Sequence, residues 1–332
     1  MTTKFNALVV NKENEHFSID VQKLSLDDLP QGEVLIRTHY SSVNYKDSLA
    51  TIPNGNIVSH YPFVPGIDLA GVVVSSNDSR FKEGDEVIAT SYEIGVSHFG
   101  GYSEYARIPA KWIVPVPEGL TLKEAMVIGT AGFTAALSVQ RLLDNGITPE
   151  SGKVLVTGAT GGVGSFAVSI LSTLGFTVEA STGKETEAEF LTSLGASSIV
   201  PRNEVFDGKV RALGKQKWAA GVDPVGGEPL AALLSQIQYG GSVAVSGLTA
   251  GTKLPATVFP FILRGVNLLG IDSVYCPMEK RLAIWNRLAN DFKPASFDVF
   301  IQEEITLQEL PKKVSIPLQG QAKGRIIVNC QA

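Results

Sequence analysis

Hydrophobic and polar positions follow two different patterns along the chain, and the change lies near Thr121. Before it, short β-rich runs are separated by turn signals: residues 34–40 follow Pro30-Gln31-Gly32, and residues 86–90 are entered through Gly84-Asp85. Many short strands at regular spacing are typical of a compact, barrel-like β domain. Two more strands are predicted, at residues 71–75 and 112–116.

From Thr121 onward, predicted strands and helices alternate. Thr121 and Glu124 match a capping box, which predicts the start of a helix. The apolar run at residues 154–157 predicts a buried strand, and a helix is expected over residues 166–174. Alternation of this kind predicts a parallel, doubly wound sheet. Its later strands are predicted at residues 177–180, 198–200, 220–223, 242–245 and 266–270.

After residue 272 a helix is predicted over residues 278–288, and β character returns at residues 324–328. The tail is therefore expected to rejoin the first domain. The predicted fold class is α/β, with a doubly wound domain over residues 125–271 inserted into a β-rich domain. That β-rich domain is predicted to comprise residues 1–124 and to be completed by residues 272–332.

Composition narrows the function classes. The 332 residues carry a formal net charge of −5, which gives no basic surface for nucleic acid or for an anionic membrane. Two cysteines, Cys276 and Cys330, cannot form a disulfide framework. The N-terminus has no signal-peptide core, and glycines and threonines interrupt the longest apolar run, at residues 125–139. These features predict a cytoplasmic protein that binds neither nucleic acid nor membrane.

The strongest chemical signal is the glycine-rich stretch that follows the strand at residues 154–157. Ala159, Gly161 and Gly164 form a GxGxxG fingerprint in which alanine replaces the first glycine. Glycines let the backbone approach a pyrophosphate, and the N-terminus of the next helix supplies free N–H groups. With a strand before it and a helix after it, the motif predicts a dinucleotide site.

Residues at the tip of the second strand indicate which dinucleotide is bound. An acidic residue about 20 positions beyond the loop would bind the 2′-hydroxyl of an adenosine ribose. The chain instead has Ser181-Thr182-Gly183-Lys184, whose hydroxyls and lysine suit a 2′-phosphate. Glu179 lies earlier within the strand and is expected to miss the ribose. NADP(H) is therefore the predicted cofactor, with NADH as the alternative.

Several longer motifs carry a resemblance that covers nearly the whole chain. The chain resembles the zinc-independent medium-chain dehydrogenases/reductases of the quinone-oxidoreductase type. Within them it is most similar to the bacterial YhdH/YhfP group, whose better-understood members are NADPH-dependent acryloyl-CoA reductases. The motifs are Ser41-Ser42-Val43-Asn44-Tyr45-Lys46-Asp47, Pro65-Gly66-Ile67-Asp68-Leu69-Ala70-Gly71, Ile128-Gly129-Thr130-Ala131-Gly132-Phe133-Thr134-Ala135, Tyr239-Gly240-Gly241 and Pro260-Phe261-Ile262-Leu263-Arg264.

The resemblance implies a GroES-like catalytic domain, a Rossmann domain and a set of cofactor residues. It places Thr160, Gly161, Gly162 and Val163 on the pyrophosphate, and Thr182, Gly183, Lys184 and Arg202 around the 2′-phosphate. An ordinary surface arginine remains the alternative for Arg202. On the same basis, the nicotinamide end is assigned to Tyr45, Leu248 and Ile262, and Thr130 is included among the cofactor-binding residues.

Zinc-containing relatives use a cysteine and a histidine at the active site. Here the histidines are His16, His39, His60 and His98, and no cluster has metal-ligand spacing, so no metal is predicted. Without zinc, hydrogen-bond donors must stabilise the charge that develops on a reduced thioester. Asn44 and Tyr45 are the candidate donors, and Asp47 and Arg264 are the candidate orienting groups. Cap chemistry for Asn44 and Asp47, and simple packing for Tyr45, remain open alternatives.

Three functions follow in order of preference. The first is NADPH-dependent reduction of a short enoyl thioester, with acryloyl-CoA converted to propanoyl-CoA. The second is a quinone or enone oxidoreductase, and the third is a non-catalytic NADPH-binding protein. A homodimer is also predicted, because residues 266–271 would form an apolar edge strand that needs covering. The C-terminal segment is the alternative cover for that edge.

Overall fold

The computed structural model describes residues 3–13 and 16–332, and the chain forms two compact units. Unit 1 contains the N-terminal part up to Thr130 together with Val274–Ala289 and Phe300–Ala332, and unit 2 contains Ala131–Ser273 and Asn290–Val299. The boundary between the two units, as drawn from contacts, lies at Thr130. The first two turns of the long helix Leu122–Asp144 therefore belong to the β-rich unit. The pattern-based limits at 124 and 271 mark changes of element type and remain predictions.

The strands of the described residues form three sheets, of two, six and seven strands. In chain order within the described ranges they are β1 (Lys4–Glu13), β2 (His16–Ser25), β3 (Val34–Ser42), β4 (Asp68–Ser76), β5 (Glu86–Thr90), β6 (Tyr105–Ile108), β7 (Ile113–Pro115), β8 (Val154–Val156), β9 (Val178–Thr182), β10 (Ser198–Pro201), β11 (Trp218–Asp223), β12 (Ile237–Val245), β13 (Asn267–Gly270), β14 (Ile301–Thr306) and β15 (Arg325–Asn329).

Helices connect these strands, and most of them lie in unit 2. The α-helices are α1 (Tyr45–Ala50), α2 (Leu122–Asp144), α3 (Gly162–Thr173), α4 (Ala188–Ser193), α5 (Arg202–Val205), α6 (Gly227–Leu234), α7 (Phe259–Arg264), α8 (Met278–Ala289) and α9 (Leu310–Lys313). Short 3-10 turns occur at Leu26–Asp28, Ala110–Trp112, Pro149–Ser151, Glu185–Glu187 and Asp298–Phe300.

Unit 2 is built on a parallel sheet with the strand order β10-β9-β8-β11-β12-β13. Counted from β8, this is the 3-2-1-4-5-6 order of the doubly wound dinucleotide-binding fold. The central strands are apolar and buried, with Leu155, Val222 and Val243 fully inside. The predicted fold class is therefore confirmed. Because the strands are parallel, their carboxyl ends meet at one edge, where ligands of this fold bind.

Unit 1 contains a mixed sheet in the order β14-β15-β3-β4-β5-β7, with β6 also paired to β3. β1 and β2 form a separate antiparallel pair from Lys4↔Ser25 to Glu13↔His16. The sequence pattern did not identify β1, β2, β6 or β14. In β2 the apolar residues Phe17, Ile19 and Val21 alternate with polar ones, so this strand could have been identified, although most of its side chains are only half-buried. β15 lies beside β3, which brings residues near 325 next to residues near 42.

Helix α2 is interrupted at Gly129, whose backbone angles (φ 48°, ψ −159°) are not helical. Among the described residues, α2 is also the helix whose length and composition would suffice to cross a membrane. Its apolar window is 78% buried inside the protein, and core helices commonly pass the same test. The apolar run is therefore accounted for by packing within the fold.

Candidate active site

The glycine-rich loop of unit 2 connects β8 to α3 at the carboxyl edge of the parallel sheet. Gly161 is the N-cap of α3, and Gly162 and Val163 form its first turn. A Cβ atom at Gly164 would lie 2.4 Å from the carbonyl oxygen of Gly158, so the close approach of helix and loop requires glycine there. The free N–H groups of this first turn suit a pyrophosphate.

A cationic group lies at the end of β9 and the start of α5. The main-chain N–H of Lys184 donates to Thr182 Oγ1 (3.0 Å), and the Arg202 guanidinium packs over Gly183, where an added Cβ would meet Nη2 at 2.7 Å. Burial lowers the pKa of Lys184, and the charge of Arg202 lowers it further, although Glu187 opposes this. Two neighbouring cations beside a hydroxyl suit a dianionic phosphate.

Glu179 faces away from this group. Its carboxylate accepts hydrogen bonds from Lys153 Nζ (2.6 Å) and Trp218 Nε1 (2.7 Å). Burial alone would raise its pKa, but these two hydrogen bonds lower it overall. Lys153 precedes β8 and Trp218 begins β11, so Glu179 lies toward the amino ends of the strands. This position agrees with the expectation that Glu179 does not contact the adenosine ribose of a bound dinucleotide.

The other candidate site residues in unit 2 are Leu248, Ile262 and Arg264. Leu248 and Ile262 are exposed, at 54% and 68%, and Leu248 lines a shallow depression of about 250 Å³ with Gly226 and Leu254. The Arg264 guanidinium donates to main-chain carbonyls of Ser235 and Gly214, both at 2.8 Å. These contacts give Arg264 a role in holding α7. Its predicted catalytic role stays a prediction.

Asp223 was not identified from the sequence. It ends β11, and its carboxylate accepts hydrogen bonds from Thr157 Oγ1 (2.6 Å) and the Gly226 main-chain N–H (2.7 Å). Burial raises its pKa despite these hydrogen bonds. By joining the ends of β8 and β11, it shapes the loops at the carboxyl edge.

In unit 1, the predicted donors lie at the start of α1. Asn44 is the N-cap, and its main-chain N–H donates to Asp47 Oδ2 (2.9 Å), which is half of a capping box. Cap chemistry is therefore present. Tyr45 is the first helical residue and is 38% exposed, so its ring is not packed in the core. The side chains of Asn44 and Asp47 are instead buried.

These buried side chains belong to a larger group, which we call the Asp68 network: Ser42, Asn44, Asp47, Asp68, Tyr102, Thr130 and Arg325. Asp68 Oδ2 accepts from Ser42 Oγ and Asn44 Nδ2, both at 2.8 Å, and from the Thr130 main-chain N–H at 2.9 Å. Its Oδ1 accepts from Thr130 Oγ1 at 2.5 Å. The Arg325 guanidinium lies 3.7 Å from Asp68 Oδ2.

Asp47 supplies a second buried carboxyl to the network. It accepts hydrogen bonds from the Ile67 main-chain N–H (2.8 Å) and from Asn44 Nδ2 (3.2 Å). Burial, and then the charge of Asp68, raise the pKa of Asp47 to about 7 despite these hydrogen bonds. The same burial raises the pKa of Tyr102 and lowers that of Arg325.

Asp68, Arg325 and Ser42 were not among the predicted site residues. Asp68 interrupts the apolar run Gly66-Ile67-Asp68-Leu69, and Arg325 interrupts Gly324-Arg325-Ile326-Ile327. Charged residues are almost never fully buried unless they are paired. A charge at the start of each of two apolar strands, β4 and β15, was therefore the signal that could have identified this pair.

The strand β5 ends beside Thr130 in a strained turn. Ser91 (φ 67°) and Tyr92 (φ 50°) both adopt left-handed backbone angles, which are costly for residues other than glycine. The Tyr92 ring stacks on Trp112 (5.8 Å), and the buried Arg281 guanidinium lies 4.5 Å from its centre. This turn holds Ser91 Oγ 3.1 Å from Thr130 Oγ1.

Residues 3–13 and 16–332 contain no group of three or more His, Cys, Asp or Glu side chains that could hold a metal ion. His98, the histidine beside the strained turn, instead has its Nε2 atom 2.7 Å from the carbonyl oxygen of Arg107 and its ring against Trp112. The donor set of a zinc site is not present in these ranges. The predicted independence from metal stays a prediction.

Two family models match the chain. The model described as the alcohol dehydrogenase GroES-like domain matches residues 30–118, and the one described as zinc-binding dehydrogenase matches residues 162–287. The putative quinone oxidoreductase YhfP of Bacillus subtilis is 58% identical over 328 residues, covering 99% of both chains. Acrylyl-CoA reductase AcuI of Ruegeria pomeroyi is 51% identical, covering 99% of this chain and 100% of that protein.

Solved structures agree with these relationships. The crystal structure of Bacillus subtilis YhfP with NAD bound superposes with a TM-score of 0.97, covering 99% of this chain and 100% of that one. The YhdH oxidoreductase from Salmonella enterica in complex with NADP is 45% identical, with a TM-score of 0.95 over 98% of this chain and 100% of that one.

Proposed function

The chain belongs to the medium-chain dehydrogenase/reductase family, and from that premise we propose that it is an NADPH-dependent reductase of short enoyl thioesters. The preferred substrate is acryloyl-CoA, which would be converted to propanoyl-CoA. The two family models and the two relatives confirm the family resemblance that the sequence motifs predicted. The proposed substrate rests on the 51% identity to an acrylyl-CoA reductase, over 99% of this chain and 100% of that protein.

NADPH is the proposed cofactor, and residues of unit 2 fit it. The first turn of α3 offers N–H groups to the pyrophosphate, in a cradle that a Cβ at Gly164 would fill. Thr182, Lys184 and Arg202 would hold the 2′-phosphate. A solved relative contains NAD and another contains NADP, so relatives alone leave the choice open. The cationic group supports NADPH, because two neighbouring cations and a hydroxyl suit the charge and oxygens of a 2′-phosphate.

Tyr45 is the proposed donor to the thioester oxygen. Its position at the exposed start of α1 leaves the ring accessible, whereas the Asn44 amide donates to Asp68 and Asp47. When bound, NADPH supplies a hydride to the β-carbon of the enoyl group. The carbonyl oxygen then carries enolate charge, which the Tyr45 hydroxyl would stabilise by a hydrogen bond. A proton taken up at the α-carbon, from solvent or an acid, completes the saturated thioester.

The deciding measurement is kcat/KM with NADPH for acryloyl-CoA, crotonyl-CoA and a simple benzoquinone. We expect acryloyl-CoA to give the highest value. A quinone preference of more than about tenfold, roughly 1.4 kcal/mol, would overturn the thioester assignment. If acryloyl-CoA is preferred, Tyr45→Phe should lower kcat more than it raises KM, because a donor used in the transition state is removed.

Quinone or enone reduction is the second candidate. It is favoured by the 58% identity to a protein named as a putative quinone oxidoreductase. The same hydride step would serve a quinone, and the acceptor panel separates the two. A non-catalytic NADPH-binding protein would bind the nucleotide and turn over no acceptor in that panel.

A homodimer is proposed through β13. This strand is the last of the parallel sheet and is half-exposed, with β12 as its neighbour in the sheet. β14 and β15 pair within the other sheet, so they do not extend β13. Light scattering at micromolar concentration should give twice the mass of one chain, and a monomer would refute the proposal. The cytoplasmic location likewise remains a prediction.

A further inference from the structure

Asp223 joins three neighbouring strands of unit 2 at their carboxyl ends. Its side chain is fully buried, and its carboxylate accepts hydrogen bonds from Thr157 Oγ1 (2.6 Å) and from the Gly226 main-chain N–H (2.7 Å). The main-chain N–H of Val225 is a third donor to this carboxylate. The main-chain oxygen of Asp223 accepts from the Ser246 N–H at 3.0 Å. The loops that follow β8, β11 and β12 therefore all meet at this one residue.

The same three loops pack against one another without space for added side-chain atoms. A Cβ at Gly247 would lie 1.9 Å from the carbonyl oxygen of Pro224, and a Cβ at Gly226 would lie 2.7 Å from that of Gly247. Gly158 has a left-handed φ of 54°, and a Cβ there would meet Val225 Cγ2 at 3.1 Å. Packing this close leaves each loop little freedom to move independently of the others.

A continuous path of contacts leads from Asp223 to the start of α3. Thr157, whose hydroxyl is bound by the carboxylate, is followed directly by Gly158. The Gly158 carbonyl oxygen accepts from the Gly161 N–H at 3.0 Å, and Gly161 is the N-cap of α3. The same oxygen is the atom that a Cβ at Gly164 would meet. The position of the Gly158 carbonyl thus determines where the first turn of α3 presents its free N–H groups.

We propose that Asp223 is a positioning residue for the pyrophosphate of the bound dinucleotide. By holding the Thr157 hydroxyl, it keeps the glycine-rich loop in its binding geometry before the ligand arrives, so that binding does not have to order the loop. Asp223 itself does not contact the ligand, because its carboxylate is buried and its donors come from the protein. The inference rests on the proposed function for the presence of the dinucleotide.

The test measures binding without an acceptor substrate, so a failure of the proposed reduction cannot be mistaken for a failure of this proposal. Titrations by intrinsic fluorescence would use NADPH and NADH, and displacement would give the affinity for adenosine 2′-phosphate, which has no pyrophosphate. The variants are Thr157→Val, Thr157→Ser, Asp223→Ala and Asp223→Asn. Ser138→Ala, which removes another buried hydroxyl of unit 2, is the matched control. Thermal unfolding reports whether each variant folds.

We expect Thr157→Val and Asp223→Ala each to weaken NADPH and NADH by the same factor, about tenfold, because both dinucleotides contain the pyrophosphate. Binding of adenosine 2′-phosphate should not change. Thr157→Ser keeps the hydroxyl, and the amide of Asp223→Asn can accept from the Gly226 N–H and donate to Thr157 Oγ1, so both variants should bind like wild type. The double variant Thr157→Val/Asp223→Ala should lose no more affinity than Asp223→Ala alone, because a single connection is removed.

The proposal is overturned if folded Thr157→Val and Asp223→Ala variants keep wild-type affinity for both dinucleotides. It is also overturned if adenosine 2′-phosphate is weakened by the same factor, if the two losses add in the double variant, or if a folded Thr157→Ser or Asp223→Asn variant loses as much as its Val or Ala counterpart. If Asp223→Ala does not fold, the contrast between Thr157→Val and Thr157→Ser decides.

A failure of the proposed cofactor choice would have a different signature. Wild-type protein would then bind NADPH and NADH equally, while the comparison among the variants would still report on the pyrophosphate. If wild-type protein binds neither dinucleotide, the proposed function and this inference both fail.

Discussion

The nucleotide edge of unit 2 and the Asp68 network of unit 1 use charge in opposite ways. At the nucleotide edge, burial and the charge of Arg202 lower the pKa of Lys184, while the charge of Glu187 opposes this, so two cations lie close together with a carboxylate nearby. In the Asp68 network, the Arg325 guanidinium and the Asp68 carboxylate are both buried and lie close together. Each is also hydrogen-bonded to a polar side chain. The first region is built for a ligand charge, and the second is internally compensated.

This difference predicts different consequences of mutation. A change at the nucleotide edge should alter affinity and cofactor choice with little effect on folding, because the side chains there are partly solvated. A change in the Asp68 network should alter stability and its pH dependence, because an unpaired buried charge is costly. The following experiments either separate the two regions in this way or show that the comparison is wrong.

The largest expected effect is that of Arg325→Met on stability. Removing the guanidinium leaves Asp68 without its counter-charge and leaves Ser42 and Asn44 without a donor. We expect the free energy of unfolding to fall by about 3–5 kcal/mol, measured by denaturant unfolding. The double variant with Asp68→Asn should recover part of this loss.

Lys313→Met is the control for the Arg325 experiment. Its ion pair with Glu303 is 2.8 Å long but lies at the surface, where such pairs contribute about 0–1 kcal/mol. If Arg325→Met and Lys313→Met lower the free energy of unfolding equally, the buried Arg325–Asp68 pair has no special importance for the fold.

The next effect concerns cofactor choice. Wild-type protein should bind NADPH at least about tenfold more tightly than NADH, and Arg202→Ala should weaken NADPH binding by about 1.5–3 kcal/mol, the contribution of one charge-assisted contact. NADH affinity should change little, because it has no 2′-phosphate. Arg211→Ala, which removes an exposed partner of Asp207, is the matched control. A parallel loss of affinity for both nucleotides would assign Arg202 a different role.

A smaller effect is expected from Gly164→Ala in the nucleotide loop. The added methyl group would meet Gly158 O at 2.4 Å and Ala159 Cα at 2.7 Å, so the loop must move. Overpacking of this kind costs about 1–3 kcal/mol, which should appear as weaker NADPH binding in fluorescence titration. Gly175→Ala, at the other end of α3, meets no atom but has a φ of 84°, so it is the control for backbone strain without a clash at the loop. Unchanged affinity in Gly164→Ala would mean that the loop does not need its present geometry.

The two regions also differ in how far the sequence predicts them. The nucleotide edge was predicted because its residues form short local motifs, at positions 158–164 and 181–184, on elements with clear periodicity. The parallel, doubly wound sheet of unit 2 was predicted from the same alternation, whereas its strand order was not predicted. Arg202 was the exception, since it was placed by resemblance, and the structure brings it to Gly183.

Of the Asp68 network, only Asn44, Asp47 and Thr130 were predicted as site residues. Asn44, Tyr45 and Asp47 belong to one motif, whereas Asp68 and Arg325 are 257 positions apart by their numbering and meet only because β15 pairs with β3. Strand pairing of this range leaves no local pattern. The donor role predicted for Asn44 also depended on information that the sequence lacks, namely that Asp68 and Asp47 receive its amide protons.

The last effect, small for any one pH unit and the most specific to the Asp68 network, is a pH dependence caused by Asp47. Its pKa is raised to about 7 in the folded protein, by burial and then by the charge of Asp68, above its ordinary value of 3.8. Between these values the folded state holds a proton that the unfolded state has released. The stability that Asp47 contributes is therefore fully present below about pH 4 and is lost as the pH rises toward 7, on the order of 1 kcal/mol per pH unit.

Asp47→Asn removes this ionisation while nearly preserving shape. The variant should be less stable at every pH, because its amide group would face the donors of Asn44 and Ile67. Its deficit relative to wild type should nevertheless shrink between about pH 5 and pH 7 and then stay constant. Surface carboxyls with lowered pKa values, such as Asp78 and Asp207, titrate in both proteins and cancel in the difference. Parallel stability curves for the two proteins would mean that Asp47 is already ionised at pH 5, and the network would then carry two buried negative charges against Arg325.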